Sequence, residues 1–174
     1  MVQGKRKTGK YFRFYEIIIR SKFAAKTHAA GGYADIIYEY EACTSYPKHS
    51  LLLEATLTDS NNQRRSEMEP VSRHLGDYRI KSNNPFDYSL FVSTYLDKNV
   101  ISDFRYRKII PYNRDEETIE GMKIISLDTD TLKKIIENRT TYSYLYEVFN
   151  KYHEMPLETV DWHENLLSDA VGSV

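Results

Sequence analysis

Two acids set into apolar stretches are the residues best suited to chemistry in this chain: Asp35 within Ala34-Asp35-Ile36-Ile37-Tyr38, and Glu54 at the polar end of Leu51-Leu52-Leu53. A carboxylate is expensive to bury unpaired, and a divalent cation is a common reason to keep two or three of them together. Downstream, Gln63, Glu67 and His74 follow at helical spacing, with Gln63 and Glu67 four apart on one face. Phosphodiester hydrolysis suits such a set, because a metal ion polarises the phosphate and lowers the pKa of the attacking water. Magnesium keeps several of its waters, so one or two protein carboxylates plus substrate phosphate complete its octahedron. Asp35 and Glu54 supply that pair if their pleat phases match. A backbone carbonyl at Thr56 or its neighbour then joins the shell, and Glu67, with Glu16 from an earlier helix, reaches in from above.

Each of these residues has a plainer reading when taken alone. Asp35 can be a strand-end acid bonded to a backbone amide, and Glu54 an exposed position on a sheet edge. Glu67, with Glu69 and Arg64 nearby, can be a solvated helix face. His74 can be a satisfied interface histidine, and Glu16 simply helix surface. Their joint occurrence in this order favours the metal site.

The elements that must hold these groups follow from periodicity. Phe14, Ile17, Ile18 and Ala25 space residues 11–28 as an amphipathic helix that carries Glu16. Gly31-Gly32 ends it, and residues 33–57 read as a β-hairpin with strands Tyr33 to Ala42 and Ser50 to Leu57. Asp59 to Asn62 is turn chemistry able to cap the next helix, whose stripe is Met68, Val71 and Leu75, with Pro70 near its first turns. A third strand is expected over Tyr88 to Leu96, a helix over Asn99 to Ile110, and a short strand over Met122 to Leu127. Asp128 then caps a helix over Leu132 to Ile136. Tyr142 to Val171 is helical in pattern and interrupted at Pro156. Mixed strands and helices point to an α/β or α+β sandwich, a sheet covered by helices.

The string Gly-Tyr-Ala-Asp-Ile, Leu-Leu-Glu-Ala-Thr-Leu, then Gln63, Arg65, Glu67, Pro70-Val71 and His74-Leu75 resembles the cleavage domains of AlwI and FokI-like type IIS restriction endonucleases. Asp35 with Glu54-Ala55-Thr56 looks like a degenerate form of their PD-(D/E)xK motif. The short length and the lack of a recognition domain are similar to the small catalytic subunit of heterodimeric enzymes, whose larger subunit is itself a nicking endonuclease. The resemblance implies a restriction-endonuclease-like mixed central sheet flanked by helices. It implies Asp35 and Glu54 as metal ligands, Glu67 as a further acid, and His74 as a group that orients it or touches phosphate. It further implies Mg2+ as the cofactor (Mn2+ as substitute), the larger DNA-recognising subunit as partner, and double-stranded DNA as substrate through that partner. The departure is Thr56, which stands where the motif has lysine. Arg64, Arg65 or His74 can replace that cation, or Glu67 can bring a second metal; the last is preferred here.

The bulk composition sets limits. A chain of 174 residues with 41% hydrophobic and 28% charged residues reads as a single domain, with residues 1–10 frayed and 140–174 as a helical segment available to a partner. The net charge of -1 is a poor footprint for an autonomous DNA binder, which supports dependence on a partner. Cys43 alone excludes an internal disulfide and points to a reducing, cytoplasmic setting. No glycine-rich phosphate loop, nucleophile elbow or Cys–His pair is present. His153 and His163 lack the spacing of a zinc site. The function expected is a metal-dependent endonuclease subunit that hydrolyses one strand of duplex DNA. The alternative is a catalytically inactive nuclease-fold accessory module.

Overall fold

The computed structural model describes residues 34–57 and 62–172, with Asn62, Arg64 and Arg65 as backbone only. The order of elements is β1 (Ile36–Tyr40), β2 (His49–Thr56), α1 (Asn62–Ser82), β3 (Tyr88–Ser93), α2 (Lys98–Tyr106), β4 (Tyr112–Arg114), β5 (Glu117–Ile119), β6 (Ile124–Asp128), α3 (Thr129–Glu137), α4 (Tyr142–Glu154) and α5 (Trp162–Val171). The expected helix over 11–28 with Glu16, the basic residues 1–10 and the Asp59 turn lie outside the described residues, as do the side chains of Arg64 and Arg65.

β1 and β2 pair antiparallel as the hairpin reading requires, with Ile36 opposite Leu53 and Tyr40 opposite His49. β3 and β6 then add in parallel, which gives the order β1-β2-β3-β6. Every residue of β3 is buried, because a central parallel strand is covered on both faces. On one face Leu52, Phe91 and Ile124 pack with Val71 and Leu75 of α1 and with Val100 and Phe104 of α2. On the other, Leu51, Leu90, Val92, Ile125 and Leu127 pack with Ile135, Leu145, Phe149 and Leu166 of α3, α4 and α5. The result is a helix–sheet–helix sandwich.

Several boundaries differ from expectation, each for a local reason. Pro70 lies well inside a helix of 21 residues rather than in its first turns. The helix continues through it because Val71 and Leu75 are committed to the core, which offsets the missing N–H. β3 stops at Ser93, since Asp97 caps α2 by accepting from Asn99 N and Val100 N. Asp128 caps α3 as expected, accepting from Thr131 N at 2.7 Å. α4 ends at Glu154 and α5 begins at Trp162, on either side of Pro156. The β4–β5 hairpin has no counterpart in the sequence reading. Within the 140–174 segment expected to be available to a partner, Tyr142, Tyr146 and Tyr152 belong to this chain's own core. Among the described residues no helix is long and apolar enough to cross a membrane.

Candidate active site

Alternation along β2 sends Leu52, Glu54 and Thr56 toward α1 and Leu51 and Leu53 to the opposite layer. The register ends with Ile36 opposite Leu53, and Asp35 sits in a bend just before β1, close enough that its charge acts on the Glu54 carboxyl. Asp35 is exposed, and its Oδ2 accepts the Ala55 N–H at 2.8 Å. Glu54 is only 7% exposed, and its Oε1 lies 2.8 Å from Nδ1 of His74, twenty residues on in α1. With a carboxylate as acceptor, it is the imidazole that donates. Burial pushes the Glu54 carboxyl above its usual range; the His74 hydrogen bond opposes that rise, and the charge of Asp35 adds to it.

Thr56 donates its hydroxyl to Glu67 Oε1 at 3.0 Å, and Ser66 donates to the same oxygen at 3.2 Å. Glu67 is thus drawn to the end of β2 by neutral donors. Gln63 is fully buried, and its role is structural: its amide donates to Ser93 Oγ at 2.8 Å and Tyr95 O at 2.5 Å and accepts from Asp97 N at 2.9 Å. That clamp ties the first turn of α1 to the loop after β3. In register, Thr56 stands beside Ser93 and Ser93 beside Asp128, so the polar groups collect at the carboxyl ends of the parallel strands. Open α/β sheets place their ligands in that crevice. Among the described residues no three His, Cys, Asp or Glu side chains converge into a cation cage. The acids fall instead into two neighbouring groups, Asp35–Glu54–His74 and Thr56–Glu67. Asp35 and Glu54 still meet the minimal magnesium requirement of one or two carboxylates.

A cleft of about 350 Å³ opens beside His74, floored by Ala34, Ile37 and Leu52 and walled by Asp77, Tyr78, Lys81 and Ser82 of α1. None of these wall residues stands out in the sequence. The one signal for them is helical phase, since 77, 78, 81 and 82 share the face of 74.

A mixed sheet between two helical layers, with acids at one end of its parallel strands, defines the class: a restriction-endonuclease-like α/β fold. One solved structure with this fold is the small subunit of the heterodimeric restriction endonuclease R.BspD6I. It is 25% identical, aligns over 82% of this chain and 69% of that one, and gives a TM-score of 0.55. The sequence pattern of the AlwI restriction endonuclease family matches residues 11–135, and the chain belongs to that family. Among curated protein sequences none matches it.

Proposed function

We propose that this chain is the catalytic subunit of a heterodimeric, type IIS restriction endonuclease and hydrolyses one strand of duplex DNA. The observation that carries this reading is the Glu54–His74 contact at 2.8 Å, with Asp35 near enough for its charge to act on Glu54. Asp35 and Glu54 hold Mg2+, with Mn2+ as a substitute, and Thr56, Glu67 and Glu16 remain candidates for the rest of its shell. A divalent cation at that point polarises the scissile phosphate and lowers the pKa of the attacking water. His74 fixes the Glu54 carboxylate in one rotamer, and Thr56 holds Glu67 within reach of the same strand end. A larger DNA-recognising subunit, itself a nicking enzyme, chooses the site, in keeping with a net charge of -1 here. The resemblance to a small subunit of a heterodimeric enzyme supports that partnership.

The test is conversion of supercoiled plasmid to nicked circle in manganese, comparing the parent with Glu54→Gln, each alone and with a DNA-recognising subunit added. Nicking by the parent and none by the variant supports the assignment. Equal nicking by both places the activity elsewhere. No nicking by either, even with the partner subunit, favours the second reading, an inactive nuclease-fold accessory or protein-interaction module. Thr56 at the motif-lysine position is the observation on that side.

A further inference from the structure

One turn of α1 beyond His74 stands Asp77, and both side chains line the same cleft. Helix positions three apart are neighbours, so a disengaged Asp77 carboxylate would compete with Glu54 for the imidazole. The β4–β5 hairpin takes up that carboxylate. Tyr112 donates its hydroxyl to Asp77 Oδ1 at 2.6 Å, and Arg114 forms an ion pair with Asp77 Oδ2. Both oxygens are thereby in use. The approach depends on Gly76, where a Cβ would lie 2.3 Å from Tyr112 Cδ1. Tyr112 and Ile119 also pack against the α1 side of the core, which anchors a hairpin too short to hold itself.

We infer that Tyr112 and Arg114 are positioning residues: by occupying Asp77 they leave His74 directed at Glu54. The inference rests on reading Glu54 and His74 as the cleavage site. Its distinguishing consequence is rescue. Removing the two hairpin donors frees Asp77 to compete, and removing the Asp77 charge as well makes their loss harmless.

The experiment compares the full chain, Tyr112→Phe/Arg114→Gln, Asp77→Asn, and the triple variant. One readout is the Nδ1–H proton resonance of His74, assigned by its loss in His74→Gln. The other is manganese-dependent plasmid nicking. In the double variant the resonance shifts or vanishes, and the nicking rate at saturating DNA falls about tenfold with KM little changed, as for a misplaced catalytic group. Asp77→Asn alone behaves as the parent, and the triple variant recovers both signals. A triple variant as impaired as the double would overturn the inference, as would a double variant with the parent's resonance. If the double variant fails to fold, Arg114→Gln alone replaces it, since the Arg114 side chain is half exposed. Should the parent not nick even with a DNA-recognising subunit added, the proposed function fails while the resonance still decides the role of the hairpin.

Discussion

Under the proposed function, Glu54 carries a conflict between stability and cleavage. Its buried carboxyl has a pKa raised above the unfolded value, so the fold favours the neutral acid. That preference is fully present below the unfolded pKa and is lost as pH rises through the folded one. Glu54→Gln should therefore melt higher than the parent at pH 8 while losing manganese-dependent nicking. The gap should close as pH falls to about 4, where both side chains are neutral. A variant that melts lower at pH 8 would show that the His74 contact outweighs burial. Thr56 tests the neighbouring group. Thr56→Val keeps the shape but removes the hydroxyl given to Glu67, and should cost about 1 kcal/mol in urea unfolding and raise the manganese concentration needed for half-maximal nicking. Thr56→Ser should restore both.

The element that sets the register of this site is α1, which carries Glu67, His74 and Asp77 along one side. Gly76→Ala places a methyl group inside the Tyr112 ring, so the hairpin must lift off α1. A loss of roughly 1–3 kcal/mol is expected by denaturant titration, the usual cost of overpacking. A variant as stable as the parent would mean that the ring moves aside freely. That dependence was invisible in the sequence, and its invisibility has a cause. The turn between β4 and β5 contains no glycine; Asp115 takes the left-handed conformation, which Asp tolerates, so no turn signal appears. The strands themselves are three residues long with one charged residue each, which leaves no periodicity to read. By contrast the β1–β2 hairpin, β3, β6 and the Asp128 cap were legible, because alternation and capping are local. The juxtaposition of Asp35 and Glu54 was legible for the same reason. The Glu54–His74 contact, the burial of Gln63 and the inward turn of Tyr142, Tyr146 and Tyr152 depend on packing between distant segments. Residue types and local spacing do not specify them.

At the scale of the whole molecule, charge has been buried at the end of the sheet opposite the candidate site. Lys123 stands over the Tyr88 and Tyr146 rings at 4.1 and 4.8 Å and donates to Asn150 Oδ1 at 2.6 Å. Burial nonetheless pulls its amine down to about 7. His49, His153 and His163 are also held low by burial, His153 at about 4. For His49 burial outweighs the Pro47 carbonyl, which lies 2.7 Å from one ring nitrogen and favours the charged form, while the Tyr142 hydroxyl lies 2.5 Å from the other. In each case the unfolded chain takes up a proton that the folded chain refuses, so stability falls as pH falls. For the histidines the loss runs from about 6.5 downward. For Lys123 it runs from about 10.4, the unfolded value, down to its folded value. Below that value both states are protonated and the full cost of the buried ammonium, on the order of a few kcal/mol, persists. Lys123→Met replaces the amine with an apolar chain of similar length, so it should stabilise the protein at pH 7. Urea titrations from pH 10 to pH 6 should show the variant's advantage growing as pH is lowered and levelling off near 7. An advantage independent of pH would mean that Lys123 holds its proton as firmly in the folded chain as in the unfolded one and that packing alone has changed. A variant less stable at pH 7 would mean that the ring contacts and Asn150 hold the charged form better than water does.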